Sequence, residues 1–592
     1  MAPLVHLLES AGRTPVARLL DALGVVFDRR PLAEALGVSA PPPPTGSAAI
    51  LSEDELNRWI GVDGKRRLLL KDLASRYRHV LIYPFHGTAE GLSALSECVQ
   101  GTAEATPPAN GGPSCFSVTA KFSASGPFAG LQIDSGNAVT DRLLLIRDSP
   151  YPTDYVVSLG DRGLFTRVQL PSSEIFVISS TAVFDVEAEL HRNLDVKQCF
   201  SGLVPLLLFL RHCQAAFWRS SYPAANIIID DLNLRPNYGF VNVHTVAEHV
   251  AELGYALSIA FIPWNCDRTS RTVTELFRSR TPHLSVVIHG CDHMGAEFST
   301  PSPAASLPMI ALSLDRMSSL RANTGVGYDK VMVFPQGKFS LHAMEALRQS
   351  DFIASVNTEL IDDRTGRGVR GLELLRPAIT TYGGFPLFLR RKAQEPIANF
   401  ALDLLLGKPC LIVTHHDDFR QGMQPFTSLV ESLNGLSPVL HWTNLETIVR
   451  RTYSVRRTDG PAEARLYASA TVVDSKDVGT NVCFSKAEPL AHKAFQIFVG
   501  GQPVTSERQG SDLTFRSVIP TAQPTAAEVR MSPTPAVTVS GPPLTYRTRV
   551  ATRRYLCELR DNYVSRSSLA TAAVRSARRI LKGSAVAKGP RR

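Results

Sequence analysis

The sequence predicts an α/β protein built around a distorted (β/α) barrel of about seven units, with an N-terminal α/β domain and a small C-terminal β-sandwich. From about residue 222 to 452, continuous apolar runs alternate with amphipathic stretches, which is typical of buried parallel strands joined by helices. Four clusters of polar residues each follow one of these runs. Hydrophobic residues make up 44% and charged residues 20%, which excludes a mainly disordered, collagen-like or coiled-coil protein.

Proline-rich stretches divide the 592 residues into five parts. Four consecutive prolines at 41–44 stop a helix, and six prolines between 520 and 543 indicate a linker. We predict a helical segment with a proline-rich linker at 1–48, an α/β domain of unknown role at 49–220, the barrel at 221–455, a β-sandwich with a proline-rich linker at 460–545, and a basic amphipathic helical tail at 546–592.

The expected elements follow the same order. In the first α/β domain we predict strands at 80–83, 142–146, 155–158 and 175–179, and a buried helix at 201–218. The number of strands predicted between residues 222 and 452 suits a closed barrel better than an open sheet. Its strands are expected at 225–229, 256–262, 284–288, 331–334, 352–356, 411–413 and 439–442, with helices such as 243–253 and 341–349 between them.

The net charge of +9 comes from the C-terminal tail. From residue 547 onward the chain holds 13 Lys and Arg and only two acidic residues, so the rest is nearly neutral and no nucleic-acid partner is expected. Apolar residues of the tail recur at helical spacing, beginning with Leu556, Leu559 and Tyr563. The tail is interpreted either as a helix docked on the protein or as a weak contact with an anionic membrane surface.

The cysteines and the N-terminus bear on location. Nine dispersed cysteines without a CxxC pair indicate a reducing compartment and argue against a disulfide framework or a structural zinc finger. Glu9 and Arg13 interrupt the apolar N-terminus, which favours an amphipathic helix over a secretory signal. The apolar run at 203–210 is too short to span a membrane. We expect a cytoplasmic protein, which would be peripheral to a membrane if the tail contacts lipid.

The polar clusters lie directly after four predicted strands. Because the C-terminal ends of parallel barrel strands share one face, the clusters are expected to meet there. They are Asp230-Asp231 after NIII, His289-Gly-Cys-Asp-His293 after LSVVI, Pro335-Gln336-Gly337 after VMVF, and His415-His416-Asp417-Asp418 after LIVT.

These residue types suit a hydrolytic metal site. Two histidines and one carboxylate bind a divalent ion and leave open positions for water and substrate. His289 and His293 are spaced to bind one ion, one aspartate of the pair would be the third ligand, and the other would accept a proton from water. A histidine of the last cluster could protonate the leaving group. Taken one at a time, the clusters also fit ordinary structural roles: a helix cap for the aspartate pair, hydrogen-bonded histidines for the second cluster, and a surface patch for the last. Their order and their placement after strands favour the metal site.

Together the motifs IIIDD, HGCDH, FPQG and VTHHDD resemble the polysaccharide deacetylases, the NodB-homology or carbohydrate esterase family 4 group. The resemblance spans about 222–452 and implies a metal-dependent hydrolase that removes acetyl groups from a carbohydrate or polysaccharide, with one divalent ion, zinc being the first candidate. It implies Asp230 as catalytic base, Asp231, His289 and His293 as metal ligands, Pro335, Gln336 and Gly337 as substrate-binding residues, and His416 as catalytic acid with His415 as the competing choice.

Three positions depart from the family pattern. Gly290 stands where Ser or Thr is usual, and Val333 where an arginine usually holds the base; Lys338 and Arg235 are the candidates to replace that charge. The segment SVNTEL at 355–360 lacks the expected Asp and Trp. These departures motivate an alternative, a non-catalytic carbohydrate-binding or scaffold protein of polysaccharide assembly. A metal hydrolase with another substrate is the third possibility.

Overall fold

The computed structural model describes residues 4–10, 12–36, 43–44, 46–60, 69–108, 115–134, 141–220, 222–490, 494–521, 523–531 and 541–566. These residues form a mixed α/β structure with three successive sheet-bearing regions and a C-terminal helix that packs on the middle one. The predicted fold class, a distorted (β/α) barrel flanked by an α/β domain and a β-sandwich, is confirmed.

The N-terminal region is built on a mixed sheet in the order β2-β1-β3-β4-β11-β10-β9-β6-β7, to which β5 and β8 are attached. Helices cover both of its faces. Its strands are β1 (Val5–Leu8), β2 (Phe27–Arg30), β3 (Ala48–Leu51), β4 (His79–Ile82), β5 (Thr102–Thr106), β6 (Cys115–Val118), β7 (Gln132–Asp134), β8 (Leu143–Arg147), β9 (Thr153–Leu159), β10 (Arg162–Gln169), β11 (Glu174–Ile178) and, outside this sheet, β12 (Glu189–Leu190). Its helices are α1 (Pro15–Leu23), α2 (Leu32–Leu36), α3 (Glu53–Ile60), α4 (Leu69–Arg76), α5 (Ala89–Val99) and α6 (Val196–His212).

The start of the chain corrects the predicted helical segment at 1–48. α1 is a helix there, but β1 lies between β2 and β3 in parallel pairing, so this part belongs to the same sheet as β4. The reason is that all four residues of β1 are buried, as expected for an inner parallel strand. The predicted helix at 201–218 begins and ends earlier, as α6, and closes one face of the sheet.

The barrel is formed by a parallel sheet in the order β21-β19-β18-β17-β16-β13-β23-β22, with β24 beside β13. Apolar side chains such as Ile228, Val287 and Leu411 form one core cluster of this sheet. The strands of this sheet are β13 (Ala224–Asp230), β16 (Leu257–Phe261), β17 (Leu284–His289), β18 (Asp329–Val333), β19 (Ala354–Asn357), β21 (Leu387–Leu389), β22 (Arg391–Lys392), β23 (Cys410–Thr414) and β24 (His441–Trp442). Outside this sheet, β14 (Asn237–Tyr238) and β15 (Val241–Asn242) form a hairpin, and β20 (Val369–Arg370) pairs with β12 of the N-terminal region. The helices of the barrel are α7 (Val243–Leu253), α8 (Arg271–Ser279), α9 (Pro303–Thr324), α10 (Leu341–Arg348), α11 (Gly371–Leu374), α12 (Ile397–Leu405), α13 (Gln424–Asn434) and α14 (Leu445–Arg451).

Two strands of the barrel were not predicted. β21 and β22 lie at opposite ends of the sheet, yet only Arg390 separates them in the chain. The chain therefore nearly closes the sheet on itself at this residue.

The C-terminal region contains two facing sheets, in the orders β25-β26-β28-β32-β31 and β27-β33-β29-β30. Phe484 and Phe515 of one sheet share a core with Ile497 and Val529 of the other, which confirms the β-sandwich. The elements are β25 (Tyr453–Arg456), β26 (Ala462–Leu466), β27 (Ala470–Val473), α15 (Ser475–Val478), β28 (Asn481–Ala487), β29 (Phe495–Val499), β30 (Gln502–Val504), β31 (Glu507–Gln509), β32 (Asp512–Val518) and β33 (Thr525–Met531).

The last described element is α16 (Leu544–Leu559), which continues as a π-helical turn at Arg560–Val564. The predicted helical tail thus begins as a helix, and its part from residue 567 onward lies outside the described residues. Within the part of the chain that the structure describes, no helix is both long enough and apolar enough to cross a membrane.

Candidate metal centre and active site

The structure brings together the three residues predicted as metal ligands. Oδ1 of Asp231 lies 3.5 Å from Nε2 of His289 and 3.1 Å from Nε2 of His293. All three donor atoms lie within 4.8 Å of one another, close enough to bind one ion. Oδ1 of Asp231 is buried and has no hydrogen-bond partner, which a bound cation would satisfy. Two imidazoles and one carboxylate are a donor set suited to a divalent transition metal.

Charge and burial keep Asp231 ionised and His293 neutral, the protonation states in which these side chains bind a metal. Burial opposes ionisation of Asp231, but the adjacent His289 and His293 side chains outweigh it and hold the pKa of this carboxyl below its ordinary value. Burial lowers the pKa of His293 to about 4, against the opposing charge of Asp231. His293 is therefore neutral near pH 7, as a metal-binding imidazole must be.

Hydrogen bonds fix the orientation of the first histidine. His289 is the last residue of β17, and its Nδ1–H donates to the carbonyl oxygen of Val333 at 3.0 Å, which leaves Nε2 facing Asp231. A backbone carbonyl on the second ring nitrogen is a common way to set the tautomer of a metal-binding histidine.

The backbone between the two histidines is held by Glu297. Its carboxylate accepts hydrogen bonds from the backbone N–H groups of Cys291, Asp292 and Met294 at 2.8, 3.2 and 3.2 Å. Gly290 has a φ of +64°, and a Cβ there would overlap the Glu297 carboxylate and the Pro335 ring. Packing therefore explains why glycine replaces the usual Ser or Thr.

Strained backbone is concentrated at this site. Among the described residues, six that are not glycine have a positive φ, and three of them are Asp231, His293 and Gln336. Such conformations cost about 1–3 kcal/mol each and persist where the surrounding structure fixes them, often at functional sites. Each of these three residues belongs to a different predicted motif, and all three motifs lie at this site.

The second aspartate, Asp230, is paired with an arginine that the sequence reasoning missed. Arg390 donates from Nη1 and Nη2 to the two carboxylate oxygens of Asp230 at 2.7 and 2.6 Å, and both side chains are buried. Burial raises the pKa of this carboxyl, but the charges of Arg390 and His289 outweigh it and lower the pKa below its ordinary value. Asp230 is thus ionised beside the metal cluster.

Neither expected substitute for the missing arginine is in place. Lys338 pairs with Asp363 at 3.2 Å, and Arg235 donates to the backbone oxygen of Arg268 at 3.4 Å. Arg390 takes that role because it lies between β21 and β22, which the sequence pattern did not reveal.

The two adjacent histidines face different partners. His415 follows β23, half of its side chain is exposed, and its Nε2 lies 3.9 Å from Oδ2 of Asp230. His416 is buried; its Nε2 lies 3.6 Å from Oδ1 of Asp561, and its ring contacts Tyr238 and Phe240. The structure therefore places His415, rather than His416, beside the aspartate pair.

The predicted substrate residues form a short turn after β18. Pro335–Gly337 is a 3₁₀ turn in which Pro335 is buried and Gln336 is exposed. Nδ2 of Asn357 donates to the carbonyl oxygens of Gly337 and Glu359, each at 2.8 Å. The segment at 355–360 that lacks the family's Asp and Trp thus supports this turn with Asn357.

The C-terminal helix crosses the same face of the barrel. Tyr546 donates to Oδ2 of Asp292 at 3.1 Å, and Glu558 pairs with both terminal nitrogens of Arg268 at 2.5 and 2.8 Å. Tyr238 donates to Oδ2 of Asp561 at 2.8 Å. These contacts join residues more than 250 positions apart, and no local pattern could have indicated them.

Similar proteins were found only among solved structures. No family model matches the sequence, and no curated protein matches it significantly. The carbohydrate deacetylase Agd3 is 12% identical and has a TM-score of 0.47, with 89% of this chain and 98% of that chain covered. A carbohydrate esterase family 4 pseudoenzyme from Bacillus anthracis is 11% identical with a TM-score of 0.23, over 37% of this chain and 63% of that chain.

A family 4 carbohydrate esterase from Streptomyces lividans, in complex with acetate, is 12% identical with a TM-score of 0.22, over 38% of this chain and 97% of that chain. Carbohydrate deacetylases and carbohydrate esterase family 4 members, which the four motifs resemble, are therefore also among the solved structures to which this chain is similar.

Proposed function

We propose that the protein is a metal-dependent hydrolase that removes acetyl groups from a carbohydrate. The observation that carries this proposal is an Asp-His-His cluster with a second, ionised carboxylate beside it: Asp231, His289 and His293 converge, and Arg390 holds Asp230. A donor set alone would bind a metal. The additional carboxylate supplies a group that can accept a proton from the attacking water.

The residues of the site divide the chemistry between them. Asp231, His289 and His293 would hold one divalent ion, zinc being the first candidate, and such an ion lowers the pKa of bound water and polarises a carbonyl oxygen. Asp230 accepts the proton of the attacking water, and Arg390 keeps Asp230 ionised and oriented. The leaving amine or alcohol also needs a proton donor.

His415 is the better placed of the two candidate acids. It lies 3.9 Å from Asp230 and is partly exposed, so a substrate can reach it. His416 is buried against Tyr238 and Asp561, which supports a role in holding the C-terminal helix on the barrel. We therefore assign proton donation to His415 and a positioning role to His416.

The substrate class rests on the motifs. Their order resembles that of polysaccharide deacetylases, and the turn at Pro335, Gln336 and Gly337 corresponds to the family's substrate groove. The non-catalytic alternative was motivated in part by the missing arginine. Arg390 supplies that charge from another strand, and this favours the hydrolase.

Metal analysis of matched variants tests the assignment. Asp231→Ala is expected to lose the metal of this site, whereas Asp230→Asn is expected to retain it and to lose deacetylation of acetylated sugars. A panel of chromogenic esters and phosphodiesters, assayed in parallel, shows whether the protein is instead a metal hydrolase with another substrate. Glycan binding that is unaffected by a chelator, together with no hydrolysis by the zinc-loaded protein, would support the non-catalytic alternative instead.

We also propose peripheral contact with an anionic membrane and a cytoplasmic place of work. α16 and its extension turn Leu544, Tyr555, Leu556, Leu559 and Tyr563 outward, each more than half exposed. The two acidic residues of this segment, Glu558 and Asp561, face inward, while exposed arginines flank the apolar face. Apolar residues flanked by cations suit an anionic lipid surface. No disulfide joins the nine cysteines, all of which lie in the described part of the chain, and this fits a reducing compartment.

Liposome sedimentation tests the membrane contact without removing the helix. Leu556→Ser/Leu559→Ser is expected to weaken binding to vesicles containing phosphatidylserine, and neutral vesicles are expected to bind poorly. A matched control is Val439→Ser, because this exposed apolar residue lies elsewhere. Equal binding by the wild type and the double variant would disprove the contact.

A further inference from the structure

A second cluster with the same donor types lies in the N-terminal domain. His79 is the first residue of β4, Glu174 is the first residue of β11, and these residues are direct neighbours in the parallel pairing of the two strands. His212 is the last residue of α6, which packs on this sheet. Three elements thus bring two histidines and one carboxylate to a single point.

The donor atoms converge on one carboxylate oxygen. Nδ1 of His79 and Nε2 of His212 each lie 2.8 Å from Oε2 of Glu174. All three donor atoms lie within 4.8 Å of one another, as at the catalytic face. The three side chains are 13%, 6% and 16% exposed, so the cluster is largely buried but within reach of an ion.

Hydrogen bonding accounts for only part of this arrangement. His212 is aligned with Glu174 as a hydrogen bond requires. Nδ1 of His79 is equally close, yet this buried atom has no aligned hydrogen-bond partner. Two ligands of one metal ion lie about 3 Å apart without pointing at each other, since both point at the ion. The position of His79 is therefore that of a ligand.

The other carboxylate oxygen is already occupied by an arginine. Arg167 donates from Nε to Oε1 of Glu174 at 2.9 Å, and its Nη2 also contacts Oε1. Nη1 of Arg167 lies 3.3 Å from Asp154, which offsets its charge. Arg167 thus orients the carboxylate through Oε1 and leaves Oε2 facing the histidines. Hydrogen-bond partners of metal ligands commonly fix the ligands in this way.

Aromatic side chains enclose the cluster. The ring of Phe122 stacks on His212 with centroids 4.9 Å apart, and Phe176 lies 5.2 Å from His212. Hydrogen bonds from His212 and Arg167 stabilise the Glu174 carboxylate in this apolar surrounding. The pocket therefore offers an anionic oxygen and two imidazole nitrogens among apolar walls.

We propose that His79, Glu174 and His212 bind a second divalent transition-metal ion of the zinc type, which fastens β4, β11 and α6 together. Three protein ligands leave one position for water. The carboxylate of Asp154 is bound by Arg167 and Gln169 and is therefore not free to act as a base beside this ion. The second ion is structural, and this proposal does not depend on the proposed deacetylase activity.

Metal content measured by elemental analysis tests the proposal in the full-length protein. The zinc-loaded wild type is expected to hold two equivalents, and His79→Gln/His212→Gln one. The control His342→Gln/His441→Gln changes two histidines outside both clusters and is expected to retain two. One equivalent in both the wild type and the His79/His212 variant would overturn the proposal.

A second measurement keeps the test independent of how the N-terminal variant folds. His289→Ala/His293→Ala leaves His79, Glu174 and His212 intact, so zinc titration of this variant, freed of metal, is expected to reveal one bound equivalent. It is also expected to raise the thermal unfolding midpoint, because an ion that binds only the folded state stabilises it. Absence of zinc binding by this variant would overturn the second site, whether or not the catalytic site is correct.

Discussion

The two histidine-carboxylate clusters have the same donor types but very different surroundings. At the barrel face, Asp230 lies next to the three predicted metal ligands, and His415 approaches it from an exposed position. In the N-terminal domain, the space around Glu174 is filled by Arg167 and by aromatic rings. The donor set determines whether a metal can bind, and the groups beside it determine whether the bound ion can do chemistry.

The clusters also differ in how they are assembled. The N-terminal cluster is formed within one domain by the ends of two strands and one helix. The barrel cluster is completed by residues from distant parts of the chain, including Arg390 and the helix α16. Perturbing the barrel site should therefore alter activity, whereas perturbing the N-terminal site should alter stability.

The largest expected effect on activity is that of Asp230→Asn. Loss of a general base typically lowers the rate about 10²–10⁴-fold, and we expect a fall in kcat/KM of this order with unchanged metal content. The matched control is Asp154→Asn, which removes a carboxylate near the other cluster and should leave kcat/KM unchanged. Steady-state kinetics measure kcat/KM and elemental analysis measures metal content in both variants. Wild-type turnover by Asp230→Asn would show that Asp230 is not the base.

Arg390→Met should combine a loss of activity with a loss of stability. It leaves Asp230 as a buried carboxylate without its partner, which typically costs about 3–5 kcal/mol. Urea denaturation measures the free energy of unfolding, and kcat/KM reports the effect on the base. Arg167→Met is the parallel change at the N-terminal cluster and should not change kcat/KM; equal loss of activity in both variants would contradict the division of roles.

Replacement of the adjacent histidines should separate the acid from its neighbour. We expect His415→Gln to lower kcat by about 10²-fold, the lower end for loss of a general acid, and His416→Gln to lower it about tenfold or less. A leaving group that needs no protonation, such as the nitrophenolate of an activated ester, should rescue His415→Gln. If the activated ester rescued His416→Gln but not His415→Gln, His416 would be the proton donor and His415 the positioning residue.

The smallest effect on activity is expected from His79→Gln/His212→Gln. With zinc about 100-fold above its dissociation constant, loss of the second site should remove about 2.7 kcal/mol of stability. We expect kcat/KM to stay within twofold of the wild type, while added zinc raises the thermal midpoint less than in the wild type, because only the barrel site is left to bind it. A loss of activity comparable with that of Asp230→Asn would show that the N-terminal cluster is not merely structural.

The sequence indicated the barrel because its inner strands are buried on both faces and are therefore continuous apolar runs. β13, β17 and β23 were predicted within a few residues. β21 and β22 were not predicted because they are three and two residues long, too short to show a periodic pattern of apolar residues. The segment predicted as helical at 1–48 holds α1 and α2 but also β1 and β2, which escaped prediction because each is only four residues long.

The site could be predicted as far as its residues lie at strand ends. Asp231, His289 and His293 were identified from motifs that each follow a strand, and the structure brings them together. Their roles, and the choice between His415 and His416, stay predictions. Arg390, Asp561 and the N-terminal cluster carried no local signal, since their meaning comes from contacts across the fold.

The sequence by itself determined the alternation of strands and helices, the barrel class, and the four polar clusters that meet at one face. Only the tertiary structure decided which arginine holds Asp230, which histidine faces it, and that His79, Glu174 and His212 meet. The physical reason is that apolar periodicity is a local property of the chain. Pairing between charged or ligating side chains depends on where distant loops and strand ends are placed by packing.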